Sequence, residues 1–207
     1  MIDVVGKSRA CHDLDPPQII AIIGVGNLLL SDDGVGIHAV RRLQSDTHVR
    51  SLARLIDGGT AGTDLLAAVC GCENLLILDA VDAGVPTGST IWMDFCDPDS
   101  PKIDTRNAHQ FGIPGLLDDL RLLGMAPRQV VLLGVQPAAM GLGTQLSPEV
   151  AAALPIVSAE VVRQLDRWAS AGDASNCRET QGAASLDAVL PRTATKITGT
   201  EQPGERI

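Results

Sequence analysis

The sequence predicts an α/β fold, a parallel sheet covered by helices, and three observations carry that expectation. Between Gln18 and Trp168, short apolar runs rich in Ile, Val and Leu alternate with longer stretches of helical periodicity, the pattern of strands joined by crossover helices. Most of the runs are apolar nearly throughout instead of alternating, as strands buried on both faces require. With 207 residues, 45% of them hydrophobic and 20% charged, the chain has enough apolar material for one substantial core and too little for two comfortable domains.

In chain order, the first strand is expected over Ile19 to Val25, where only Gly24 interrupts the aliphatic residues. Four more follow at Leu52 to Ile56, Leu75 to Leu78, Thr90 to Asp94 and Gln129 to Val135. A helix should begin near Asp33 and run to about Leu43, presenting Gly36, Val40 and Leu43 on one side. A shorter helix is expected at Thr63 to Cys70, with a polar loop around His48 before the second strand. The segment Gly112 to Leu123 places Leu116, Leu117, Leu120 and Leu123 on one side, and Pro148 to Trp168 does the same with Val150, Leu154, Val157, Val161 and Leu165; both read as amphipathic helices lying on the sheet. Residues 1–17 read as an N-terminal tail and 18–170 as the domain. After Ala169 the composition turns to Gly, Ser, Thr, Asp and Glu, so 171–207 is expected to be a disordered tail that cannot offset its own chain entropy. There is no internal repeat.

Several function classes are excluded or disfavoured. The longest apolar stretch, Ile19 to Leu30, is broken by Gly24, Gly26 and Asn27 and falls short of the roughly 20 residues of a membrane-spanning helix. The first residues show no basic and then apolar secretory signal, so a cytoplasmic location is expected. Five cysteines (Cys11, Cys70, Cys72, Cys96 and Cys177) are an odd number in a chain that does not need staples, which favours reduced thiols. Cys70 and Cys72 lack a second pair or a nearby histidine to complete a zinc site; packing on a helix face is the expected role. A net charge of −9, with two Phe, two Trp and no Tyr, argues against nucleic acid as a partner.

Four stretches carry possible chemistry. In Gly24-Val25-Gly26-Asn27-Leu28-Leu29-Leu30-Ser31-Asp32-Asp33-Gly34-Val35-Gly36 a strand runs through a glycine turn into a helix. A dinucleotide fingerprint would need glycine at Leu29, and carboxylates at a helix start repel phosphate; Asp32 and Asp33 suit either helix capping or a functional site. Asp79 ends an otherwise apolar strand, where ligands of open parallel sheets bind, so Asp33 and Asp79 can converge; a solvated turn residue is the plain alternative. His109, in Asn107-Ala108-His109-Gln110-Phe111, precedes a helix and is the best placed of the four histidines. Two carboxylates and an imidazole can hold a first-row divalent metal with positions left open, although an α/β protein of this size commonly has such residues at loop edges. Asp57-Gly58-Gly59-Thr60-Ala61-Gly62 follows the second strand and reads as a tight turn, or as a place where adjacent glycines admit a peptide.

Taken together and in this order, GVGNLLLSDDGVG, DGGTAG, LDAVDAG, AHQFGI and LLGVQP resemble the hydrogenase maturation proteases, endopeptidases grouped with the aspartic-type peptidases. The resemblance spans about Ile19 to Leu165 and is nearest to the proteases serving uptake hydrogenases. It implies a twisted, mostly parallel five-stranded sheet covered by helices on both faces in a single domain. It also implies cleavage of a nickel-iron hydrogenase large-subunit precursor just after its C-terminal cysteine motif. Metal-site positions of the family fall on Asp33, where many members carry Glu, and on Asp79 and His109. Asp57 falls on a position associated with substrate processing. Nickel, supplied by the substrate, is the expected metal, and a monomer is the expected state. No Gly-x-Ser-x-Gly elbow is present, which disfavours a serine or cysteine peptidase. The expected step is attack by water on a metal-polarised carbonyl, with Asp33 or Asp57 as base and Asp79 completing the catalytic set. A different class of function, a nickel-sensing chaperone that binds the precursor without cutting it, would use the same ligands.

Overall fold

The computed structural model describes residues 20–95 and 113–176. Five strands, β1 (Ile20–Val25), β2 (Ala53–Gly59), β3 (Asn74–Ala80), β4 (Thr90–Asp94) and β5 (Gln129–Val135), form one sheet in the order β2-β1-β3-β5-β4. β1, β2, β3 and β5 run parallel: Ile22 lies between Leu55 and Leu76, and Leu76 pairs on with Val131. β4 closes the far edge antiparallel to β5, with Trp92 opposite Leu133. The α/β expectation holds. All six residues of β1 are buried, as its unbroken aliphatic run demands of a central strand covered on both sides.

Strand period divides the core in two. Ile20, Ile22, Leu76, Leu78 and Leu133 face α1 (Val35–Leu43), α2 (Thr47–Leu52) and the long α5 (Pro148–Asn176), which contribute Val40, Val49, Val157, Val161 and Leu165. Ala21, Ile23, Leu75, Ile77 and Leu132 face the short α3 (Leu66–Val69) and α4 (Ile113–Leu122), which contribute Val69, Leu116 and Leu120.

Where the structure departs from the sequence reading, local bonds give the reason. The polar loop expected at His48 is helix α2, because Asp46 caps it by accepting the N–H groups of His48 and Val49 at 2.9 and 3.2 Å, while Val49 is fully buried beneath it. Leu52 therefore closes a helix instead of opening a strand. β2 continues through Asp57 to Gly59 because Asp57 still pairs with Gly24 and Gly59 with Val25; the expected turn begins only beyond it. Cys70 is the residue just after α3, and Cys72 lies just ahead of β3 in the core shared with α3 and α4. The backbone of α5 stays helical through Asn176, past the expected boundary at 170.

Candidate active site

The strand order reverses between β1 and β3: β1 is followed by β2 on one side, while β3 lies on the other. At such a switch point the connections leave the carboxyl ends of adjacent strands in opposite directions, and the resulting crevice is where open α/β sheets bind ligands. The stretch from Gly26 to Gly36 and the end of β3 border this crevice.

After β1 the chain turns sharply at Gly26, whose φ is +131° and where a Cβ would stand 1.8 Å from the carbonyl oxygen of Asp33. Asn27 shapes the next residues, its side-chain oxygen accepting the N–H of Leu29 at 2.9 Å. A 3-10 turn, Ser31–Gly34, then leads into α1. The helix can follow so closely because Gly24 and Gly36 carry no side chains between it and the sheet. Asp33, only 1% exposed, is held by the backbone N–H of Asn27, which donates to its Oδ2 at 2.8 Å. No side-chain cap bond is made at this helix start, so the capping role is not what Asp33 serves.

Asp79 is the penultimate residue of β3 and 4% exposed. Its Oδ1 accepts the N–H of Ala80 at 2.7 Å. Burial pushes its carboxyl up to about 8, a rise that the Ala80 N–H opposes and the nearby charge of Asp33 reinforces. Asp33 is also raised, by burial, against the pull of the Asn27 N–H. The structure thus brings Asp33 and Asp79 together as two buried carboxyls, each raised by burial and Asp79 raised further by the charge of Asp33. Hard oxygen donors so placed fit a divalent cation, whose charge would relieve both the burial and the repulsion.

Asp57 is not part of this pair. It pairs with Gly24, which in turn pairs with Leu78, so it lies two strand spacings from β3, roughly 10 Å, and points to the α1 face with Leu78. There Arg41 of α1 donates from Nε and Nη2 to its Oδ2 at 3.1 and 2.9 Å. His109 lies outside the described residues, four positions before Ile113, where α4 begins. Among the described residues no group of three His, Cys, Asp or Glu side chains is arranged to hold a metal.

Asp32, which the sequence reading left between helix capping and a site, and Gln136, which it did not single out, organise the loops around the pair. Asp32 is fully buried, with Oδ2 accepting the N–H groups of Ala138 and Ala139 at 2.9 Å each and Oδ1 that of Ser147 at 2.6 Å. Burial pushes its carboxyl up, yet the Ser147, Ala139 and Ala138 N–H groups together outweigh that and leave it below the ordinary value. Gln136, directly after β5, is 7% exposed; its Oε1 accepts from Ala83 and Val85 at 2.8 and 3.3 Å, and its Nε2 donates to Asp82 at 3.1 Å. The signal for Gln136 is the one that marks Asp79: a polar residue where an apolar strand reaches the carboxyl edge.

A sheet of this order with two buried carboxyls near its switch point defines an open α/β protein, and comparison with known proteins narrows it further. The family model described as hydrogenase maturation protease matches residues 37–164. The chain is 33% identical over 156 residues to the hydrogenase expression/formation protein HupD of Rhodobacter capsulatus, covering 73% of each. It is 31% identical over 148 residues to the hydrogenase 2 maturation protease of Escherichia coli (strain K12), covering 70% of this chain and 90% of that one. The structure of the hydrogenase maturating endopeptidase HybD from E. coli superposes with a TM-score of 0.62 at 29% identity, over 72% of this chain and 92% of that one. The chain belongs to the hydrogenase maturation protease family. No helix among the described residues is long and apolar enough to cross a membrane.

Proposed function

We propose that this chain is an aspartic-type endopeptidase that removes the C-terminal extension of a nickel-iron hydrogenase large-subunit precursor once nickel is in place, acting as a cytoplasmic monomer. The observation that carries the reading is the buried Asp33 and Asp79 pair at the switch point of a chain from this family. Nickel is part of the substrate in this scheme. Held by cysteines of the precursor, it would gain Asp33, Asp79 and His109 as further ligands, and the proton that burial keeps on Asp79 would leave as the dication arrives.

Anchoring the precursor by its metal fixes the scissile peptide beside the carboxylates, so that much of the barrier is met by positioning. Water attacks the scissile carbonyl carbon, a carboxylate takes the proton from that water, and the resulting carboxylic acid returns it to the departing amine as the C–N bond breaks. Asp33, oriented through Oδ2 by the Asn27 N–H, is our choice of base. Asp57 has one oxygen committed to Arg41 and is better suited to receiving the precursor's chain alongside β2.

The test is incubation of the purified protein with nickel-loaded precursor, followed by the precursor's mass. Loss of a C-terminal peptide supports the endopeptidase. A stable complex with no change of mass would overturn it in favour of a nickel-sensing chaperone.

A further inference from the structure

Asp32 and Asp33 are consecutive, buried and chemically identical, yet they are used differently. The three N–H groups that Asp32 accepts come from a segment more than a hundred residues away, 138–147, which connects β5 to α5. The backbone around it makes the same connection. The N–H of Asp32 donates to Ala139 O at 3.1 Å, that of Ser31 to Gly143 O at 2.8 Å, and that of Gly143 to Leu29 O at 3.0 Å. Ser31 Oγ adds a bond to Gly141 O at 3.0 Å. Ser31 holds φ at +51°, a conformation that costs a non-glycine residue on the order of 1 kcal/mol. That cost persists because the bonds on either side over-determine the turn.

We propose that Asp32 is a positioning residue for the reaction: by tying the Leu29–Asp33 turn to the 138–147 segment, it fixes the backbone from which Asp33 presents its carboxylate toward Asp79. The inference rests on the proposed protease chemistry for its catalytic consequence, but its structural half stands separately. Three features make the tie specific to Asp33. The two residues are adjacent, so no flexible link separates anchor from working group. Gly26 packs closely against the Asp33 carbonyl from the other side. The anchor is also a buried carboxylate at the start of α5, where Ser147 precedes the first helical residue; an anion there is favoured by the helix dipole, so the tie extends to the longest helix on the sheet.

An amide cannot reproduce this role, because Asp32→Asn keeps one acceptor oxygen and turns an NH2 toward at least one of the three donors. The reporter is the Asn27 amide, which donates to Asp33 Oδ2 and so reads the orientation of that carboxylate. In Asp32→Asn, hydrogen exchange at Asn27 should speed up at least tenfold while the amides of β1 and β3 keep their protection. With nickel-loaded precursor, kcat should fall about 100-fold, as for a misplacement on the order of 1 Å, with KM within about threefold. Gly143→Val is the second variant, in case the first fails to fold: a Cβ there would stand 2.5 Å from Ser31 Oγ, so it displaces that hydroxyl from Gly141 O and weakens the same connection without touching a buried charge, and it should change Asn27 exchange and kcat in the same direction by a smaller factor. Unchanged Asn27 exchange in the folded variants would overturn the proposal, as would a kcat loss that vanishes on cooling together with a loss of stability. If the wild-type protein does not cut the precursor, the protease reading fails, and the exchange result alone still decides whether Asp32 holds Asp33 in place.

Discussion

Gly36 in α1 lies so close to the end of β3 that a Cβ added there would stand 2.1 Å from the carbonyl oxygen of Leu78, and 2.5 Å from that of Val25. This contact brings the start of the helix, and Asp33 with it, beside Asp79. Both obstructing atoms belong to backbone, so nothing can rotate away. Gly36→Ala should cost roughly 1–3 kcal/mol as an overpacked site and lower Tm by several degrees. It should also reduce precursor cutting in the protein that remains folded. Thermal denaturation checks the first outcome, and wild-type stability would show that the helix shifts freely.

Asp79 makes stability depend on pH in an unusual sense. Folded Asp79 holds its proton up to about pH 8, whereas in the unfolded chain it is released near the ordinary carboxyl value of 3.8. Between those limits the folded state binds more protons, so this group's contribution is fully present below about pH 4 and is lost as pH rises toward 8. The amplitude is on the order of 5 kcal/mol. Asp79→Asn removes the titration while its amide oxygen can still accept the Ala80 N–H. The variant should therefore exceed wild type in Tm at pH 7 to 8, with the difference shrinking toward pH 4. Denaturation across that range measures it; a gap that grows on acidification would mean Asp79 is ionised in the folded protein.

The Arg41 and Asp57 pair should matter little to stability. Their side chains are 51% and 36% exposed, and an ion pair in that setting contributes at most about 1 kcal/mol. Arg41→Met should shift Tm by no more than a few degrees. Asp57→Asn is expected to leave kcat within about tenfold of wild type and to raise KM for the precursor. A collapse of kcat as deep as that of Asp79→Ala would return Asp57 to the chemical step.

How much of this was legible in the sequence depends on the range of the interactions. The strands were readable because burial on both faces imposes an unbroken aliphatic run, and Asp79 stood out as the acid that ends one. α2 was missed because a single capping residue, Asp46, and a single buried anchor, Val49, give six residues too little periodicity to see. Asp33 and Asp79 were expected at loop edges, yet both are buried, since the packing of Gly36 on Leu78 draws the helix start down onto the sheet. Asp32 looked like a second helix-start acid. Its partners, Ala138, Ala139 and Ser147, are 106 to 115 positions away, and no local pattern announces backbone N–H groups converging from that distance.

Cutting is expected to wait on nickel. Asp33 and Asp79 both resist ionisation, and with His109 as a third ligand they would form a poor site for free metal: binding would have to displace a proton from Asp79, and the set would lack the fourth protein ligand of a closed zinc centre. A nickel ion arriving with cysteine ligands of its own would avoid that weakness, because the precursor would supply the remaining coordination and this chain would only complete it. Recognition would then depend on nickel being present in the precursor. The purified protein should contain little metal, and nickel-free precursor should stay intact even with zinc added. Nickel-loaded precursor should be cut with no further metal. Asp33→Ala, Asp79→Ala and His109→Ala should each abolish that cut in protein that remains folded by circular dichroism. Metal content by plasma emission and precursor mass by spectrometry provide the measurements. Efficient cutting of nickel-free precursor would refute the gating while leaving an endopeptidase, and near wild-type cutting by any two of the three variants would remove these residues from the metal-reading role.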